Sequence, residues 1–259
     1  MGRMTRSRTI IVGLCALLLA ATAACSDRGE VERPSEGTTA LSDSGPGLSR
    51  VLMLGDSIAI GQALPLGFAL DAGGVEFSSM ASEGGGNVVG PTSEELWETL
   101  PDQIASAKPS TVVYQITTYD WGTEDEQRAA YERLADTVAA AGATLVFVTA
   151  PPIVPDEFYE PHMDELERAP EVAGAVAEDS GGEAVLLDAA EVWGEEYEQT
   201  RDGEPDRSDD GIHTCPQGAA RFTQWLLGEF AELYPDFTPP EPEEWANVGW
   251  SGDEHFVGC

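Results

Sequence analysis

From Arg50 onward the chain repeats one pattern: a short β-branched or apolar run, a turn, then a longer stretch at helical spacing. Val51 to Leu54 reads as a buried strand, followed by a turn at Gly55-Asp56-Ser57 and a helical stretch to Leu70. Val75 to Met80 reads as a second strand, leading into the glycine cluster Gly84-Gly85-Gly86. Ser93 to Ala107 places Leu96, Leu100, Ile104 and Ala107 on one helical face. Thr111 to Thr117 is the third strand, and Glu124 to Ala141 a long Ala-rich helix stopped by Gly142. Thr144 to Thr149, closed by Pro151-Pro152, is the fourth strand, and Ala184 to Leu187 the fifth. The last helix starts near Pro216, a residue suited to a first helical position, and runs to about Leu233. Such alternation implies crossover connections and a parallel sheet covered on both faces. The expected fold is therefore a three-layer α/β/α sandwich with a five-stranded parallel sheet over residues 50–233. Its reactive loops belong at the carboxyl ends of the strands. Pro155 to Gly182, long and acidic, is expected to form a lid or substrate wall at such an end. The Pro-rich tail, residues 234–259, carries Trp245 and Trp250 and is expected to pack on the domain.

The residues before this pattern read as an address and a tether. Arg3, Arg6 and Arg8 precede an apolar run from Ile10 to Ala24, 15 residues long. A helix needs roughly 20 such residues to span a bilayer, so residues 1–24 read as an export signal. The run ends Leu19-Ala20-Ala21-Thr22-Ala23-Ala24-Cys25, which resembles a bacterial lipobox with Thr22 where Leu is usual. Lipidation of Cys25 would leave a cell-membrane lipoprotein facing outward. Cleavage after Ala21-Thr22-Ala23 would leave a fully secreted protein. Residues 25–49 are rich in Ser, Gly, Glu, Pro and Asp, the composition of a flexible linker, with a reach of about 25–30 Å. Of the four cysteines, Cys15 lies in the signal and Cys25 at its end, which leaves Cys215 and Cys259. In an oxidising compartment that pair is expected to form a disulfide tying the tail to the domain.

Composition sets further bounds. Hydrophobic content of 42% with 6 Trp, 6 Tyr and 8 Phe is enough for a folded core. Thirteen basic against 47 acidic residues give a net charge of −34, and Lys108 is the only lysine. A surface of that sign repels phosphate backbones and anionic polymers, so nucleic acid is excluded as a partner. The sequence has no Cys-x-x-Cys, no His-Glu-x-x-His and no phosphate-binding Lys loop, so no metal or cofactor is called for. A single chain is expected to act as a monomer.

Two short motifs carry the chemistry. In Leu54-Gly55-Asp56-Ser57-Ile58-Ala59 a serine follows the first strand directly, on a tight turn that opens a helix. Its backbone N–H, at a helix N-terminus, can face a developing oxyanion. A serine hydroxyl is a poor nucleophile until a base takes its proton. Asp210-Gly211-Ile212-His213, just before the last helix, supplies that base, with Asp210 placed to hold the imidazole tautomer. Asp188, at the end of the fifth strand, is a second candidate for the orienting acid and otherwise a structural strand-end residue. The other two histidines, His162 and His255, are expected to be solvated surface residues.

On these residues the chain resembles the SGNH/GDSL hydrolases over roughly residues 50–233, a family with a flavodoxin-like α/β/α fold. Gly55-Asp56-Ser57 is similar to the block that carries that family's nucleophile, and Asp210-x-x-His213 to the block that carries its acid and base. The continuation to Thr214-Cys215-Pro216-Gln217-Gly218 is similar to the versions found in bacterial surface O-acyltransferases. The resemblance implies an oxyanion glycine at Gly84 or Gly85, beside the Ser57 amide. It also implies an Asn after the third strand, but this chain reads Thr117-Thr118-Tyr119-Asp120, with Tyr119 in the Asn position. Losing one oxyanion donor costs about 3–4 kcal/mol unless another group replaces it, which makes Tyr119 a site candidate. The implied activity is a serine esterase acting on short O-acyl esters of small molecules or glycans. Alternatives are transfer of the acyl group to a glycan hydroxyl, or a binding lipoprotein that keeps the fold without the chemistry. An α/β-hydrolase shares the order Ser, acid, His, but there the nucleophile follows several strands rather than the first.

Overall fold

The structure is a computed structural model and describes residues 47–256, 258 and 259. The export signal expected over 1–24, Cys25 and linker residues 25–46 lie outside the described residues. Five strands form one sheet: β1 (Arg50–Leu54), β2 (Glu76–Ser79), β3 (Thr111–Gln115), β4 (Thr144–Val148) and β5 (Ala184–Leu187). Their order is β2-β1-β3-β4-β5 and every pair is parallel, as the sequence predicts. β1 and β3 are buried on both faces, so each strand feeds two cores. Val51 and Met53 join one with Val113, Val146 and Phe222. Leu52 and Leu54 join the other with Val112, Tyr114 and Phe147. The period of two along a strand is what divides them.

Helix α1 (Ser57–Ala72) and α7 (Pro216–Leu233) cover the first core. The second is covered by α3 (Leu100–Ala107), α4 (Glu124–Ala140) and α5 (Met163–Asp179). Local chemistry sets the helix ends. Asp56 caps α1 by accepting from Ile58 N at 3.0 Å. Thr123 and Glu126 form a reciprocal capping box on α4, and Gly142 ends it at φ +75°.

Two expectations change, and one region not read from the sequence gains structure. The single helix expected over Ser93–Ala107 is two, α2 (Ser93–Trp97) and α3, because Pro101 restricts the residue before it and cannot donate a helical N–H. The acidic segment 155–182, expected as a lid or substrate wall, is mostly α5, the crossover between β4 and β5, and Met163, Leu166, Glu167 and Pro170 of it line a cavity. Ala169, Val172, Ala173, Val176 and Ala177 of α5 are buried in the second core. The region between β5 and α7 holds a short α6 (Ala190–Trp193) and a hairpin of β6 (Thr200–Arg201) and β7 (Glu204–Pro205). The tail lies on the domain, with Trp245, Trp250 and Phe256 buried and Cys259 bonded to Cys215. Among the described residues no helix is long and apolar enough to cross a membrane.

Candidate active site

In this strand order the chain reverses direction of winding between β1 and β3, and the crevice at their carboxyl ends is where ligands of such sheets bind. Ser57 stands there as the first residue of α1, directly after β1, and is 8% exposed. The turn that places it is tight. Gly55 has φ +151°, and a Cβ on it would come within 2.6 Å of Ala59 Cβ. Gly86 crosses over this turn so closely that a Cβ there would fall on the Gly55 carbonyl. Asp56, fully buried, accepts from Thr118 N at 2.8 Å and Thr118 Oγ1 at 2.9 Å as well as from Ile58 N. It thereby joins the serine turn to the loop after β3. Burial raises its carboxyl above the usual range against those donors.

The loop before α7 brings the other two groups. His213 Nε2 lies 2.7 Å from Ser57 Oγ, and His213 Nδ1 lies 2.8 Å from Asp210 Oδ2. Asp210 Oδ1 accepts from Ile212 N at 2.8 Å and His213 N at 3.0 Å. Partial burial works to raise the Asp210 carboxyl, but the bonds from the His213 ring and the two amides together hold it down at about 2. An ionised carboxylate is acceptor-only, so Nδ1 carries the ring proton and Nε2 is left to accept from the serine hydroxyl. Ser57 and the Asp210–His213 loop, far apart in sequence, together form a continuous acid, base and hydroxyl arrangement.

The remaining sequence candidates fall in different places. Gly84 lies beside Tyr119, whose hydroxyl would be 4.0 Å from a Gly84 Cβ, while Gly85 faces Ser82 and Thr92. Tyr119 is half-buried and receives a long contact, 3.4 Å, from the Tyr159 hydroxyl, which leaves its own O–H proton free to point elsewhere. Burial first, then Tyr159, pushes its phenol far above the ordinary value. The buried Asn87 amide donates to the carbonyls of Val89 and Pro91 and so is committed to its own loop. Asp188 accepts from Thr149 Oγ1 and Ala190 N, the role of a strand-end structural residue. Among the described residues no group of three or more His, Cys, Asp or Glu side chains is placed to hold a metal ion.

Both other histidines depart from the free surface positions expected of them. The His162 ring is stacked on Trp121 with centroids 3.7 Å apart, and its Nδ1 is 3.2 Å from Glu165. The cause is an aromatic cluster of Tyr119, Trp121, Phe158 and Tyr159 beside the β3 loop. His255 is only 12% exposed and meets His213 edge to face, 5.8 Å between centroids, because the disulfide-tied tail folds back over the site.

Arg207 also escapes sequence reasoning. Buried to 2%, it donates to the carbonyls of Pro152 at 2.8 Å, Ile212 at 2.5 Å and His213 at 3.3 Å. It lies over the Tyr197 ring at 5.0 Å. Burial lowers its guanidinium to about 10, still charged at neutral pH. A lone arginine among turn residues gives no sequence signal. His255 did give one: it lies four residues before Cys259, and His213 two before Cys215, so the expected disulfide already implied their approach.

No family model matches the chain, and no curated protein matches it in sequence. Solved structures do. The chain is similar to LAE5, an alpha/beta hydrolase enzyme from the metagenome of Lake Arreo, Spain, at TM-score 0.53 and 16% identity over 75% of this chain and 98% of that one. A catalytic mutant of the acetylxylan esterase Axe2 of Geobacillus stearothermophilus gives TM-score 0.54 and 14% identity, covering 72% and 95%. A GDSL-like lipase of Bacteroides thetaiotaomicron gives 0.52 and 13%, covering 71% and 88%. The fold is thus that of the SGNH/GDSL-type hydrolases.

Proposed function

We propose that the protein is a carboxylic ester hydrolase of the SGNH/GDSL type that cleaves short O-acyl esters through an acyl-Ser57 intermediate. One observation carries the reading: the His213 ring bridges Asp210 and Ser57 with bonds of 2.8 and 2.7 Å. In the first step Nε2 takes the hydroxyl proton as Ser57 Oγ attacks the carbonyl carbon. The oxyanion forms at the mouth of α1, where the Ser57 amide is one of the N–H groups a helix leaves unpaired. The Gly84-Gly85 loop and the free Tyr119 hydroxyl are the further donors proposed there. His213 then returns the proton to the leaving alcohol. In the second step it deprotonates a water, which releases the acid and frees Ser57.

The alcohol part is proposed to extend toward a cavity that adjoins the acid–base loop at Pro152, although none of Ser57, Asp210 and His213 lines it. This cavity of about 690 Å³ at the carboxyl ends of β3, β4 and β5 is walled by Ile116, Pro152, Met163 and Leu186, with Glu167 and Glu195 among its polar lining. Pro152 belongs to this wall and to the carbonyls held by Arg207. Apolar walls, carboxylates and a net charge of −34 favour a neutral partner, such as an acylated sugar, over an anionic polymer. Exposure at the cell envelope on a lipidated Cys25 completes the proposal.

The test is labelling with a fluorophosphonate and turnover of a small aryl ester. Wild-type protein is expected to label at Ser57 and to release free acid. Ser57→Ala and His213→Ala should each lose about 10⁴-fold or more in kcat, whereas His162→Ala should keep its rate. Equal turnover in wild type and Ser57→Ala would sink the mechanism.

A further inference from the structure

His213 is held at its two ring nitrogens, Nδ1 by Asp210 and Nε2 by Ser57. Bonds of this kind fix the ring's direction but resist tilting about the Nδ1–Nε2 line weakly. We infer that His255 supplies the missing constraint and is a positioning residue for the base. The inference rests on the hydrolytic reading of the site.

The geometry is that of a brace. The two imidazoles meet at 89° with centroids 5.8 Å apart, an edge-to-face contact at a favourable separation. The Cδ2–Nε2 edge of His255 lies against α1, which limits its movement. A Cβ on Gly61 would come within 3.1 Å of His255 Cδ2 and 3.3 Å of Nε2, so a side chain there would push the ring away. Gly61 is one turn along α1 from Ser57. The brace and the nucleophile therefore share one rigid element.

The chain around His255 is fixed at several points. Asp253 Oδ1 accepts from His255 N at 2.9 Å, which closes the turn that presents the ring. The next residue, Phe256, is buried with Trp250 and Ala219 of α7. Gly258 O accepts from Asp209 N at 3.3 Å, one residue before the acid. Cys259 is bonded to Cys215, two residues after the base. The strap is thus anchored on both sides of the Asp210–His213 segment, and it delivers one ring to it. Glu83, from the loop after β2, approaches His255 Nδ1 at 3.6 Å, but its own side chain is 75% exposed and adds little to the hold.

The test uses the full mature chain and three readouts. His255→Ala is expected to lower kcat on a small aryl ester about tenfold to a hundredfold, with KM changed less than about twofold, since only the base loses its alignment. His255→Phe keeps a ring with an edge but no nitrogen, and it is expected to return kcat to within about threefold of wild type. The third readout is the downfield proton resonance of His213 Nδ1–H in its bond to Asp210. It should broaden in His255→Ala and sharpen again in His255→Phe, a change that loss of fold stability alone would not produce. An unaltered kcat and resonance in His255→Ala overturns the inference. So does a Phe variant as impaired as the Ala variant, which would mean that the nitrogens matter rather than the ring. A wild-type chain that turns over no ester and does not label at Ser57 would instead remove the hydrolytic reading, and the resonance would still decide whether the strap braces His213.

Discussion

Two loops meet at Ser57, and they are held in place by opposite kinds of ionisable group. The acid–base loop wraps around a buried cation, with Arg207 donating to the carbonyls of Pro152, Ile212 and His213. The loop after β3 wraps around buried carboxyl groups. Asp120 accepts from Tyr114 at 2.7 Å, Tyr131 at 2.9 Å and Thr117 Oγ1 at 3.0 Å, and Asp56 accepts from Thr118. A loop whose carbonyls turn inward needs a donor cluster, and one whose N–H and O–H groups turn inward needs an acceptor. The consequence shows in two aspartates. Asp210, partly exposed and holding three donors, sits at about 2 and is ionised at any working pH. Asp120, wholly buried, is pushed up to about 7 by loss of solvent despite its own donors. On the proposed mechanism the first carboxylate would stabilise a charge that appears during the reaction, whereas the second organises a loop.

The largest effect should come from the first of these. Asp210→Asn keeps the size and the approximate geometry but offers Nδ1 a donor, which favours the tautomer with the proton on Nε2. About a 10⁴-fold fall in kcat is expected, with an unchanged circular dichroism spectrum. Asp188→Asn should leave kcat as it is. A reversal of the two results would move the orienting role to the end of β5.

Arg207→Met comes next and tests the cation side of the comparison. It keeps an unbranched stem but leaves the Pro152 and Ile212 carbonyls without the Arg207 donor, and the His213 carbonyl with Ser208 N alone. An unfolding free energy lower by about 3–5 kcal/mol in urea is expected, together with slower fluorophosphonate labelling of Ser57. Full stability in this variant would show that the loop is held by its backbone bonds alone, such as Ser208 N to His213 O at 2.9 Å.

Much of this was legible in the sequence, for reasons that differ by element. The strands showed because a parallel sheet buried on both faces leaves uninterrupted runs such as Val51–Leu54 and Thr144–Val148. The placing of a Gly-Asp-Ser turn after the first run and Asp-x-x-His before the last helix followed directly. Helix α5 did not show. Its core face is built from small residues, its other positions are acidic, and Pro170 interrupts the helical reading. The break between α2 and α3 was signalled by Pro101, but the apolar spacing on either side outweighed it. Arg207 and the tyrosines around Asp120 were invisible for another reason. Their significance is a matter of which backbone groups they reach across the fold, and no periodicity records that.

The smallest effect tests the carboxyl side. Asp120 has a carboxyl at about 7 in the folded protein against an ordinary 3.8. Between those values the folded state holds a proton that the unfolded chain has released, so stability from this group rises as pH falls through the window and levels off below about 4. Above about 7 both states are ionised, and the protein bears the cost of a buried charge. Other carboxylates titrate in the same range, and the net charge of −34 relaxes as they do, so the measurement must be a difference. Asp120→Asn imitates the protonated form at every pH. Wild type is expected to gain Tm relative to the variant on going from pH 8 to pH 5, by about 5 °C. A parallel pair of Tm curves would mean that Tyr114, Tyr131 and Thr117 keep the charge stable where it lies, and that the two loops differ in sign but not in how their central groups titrate.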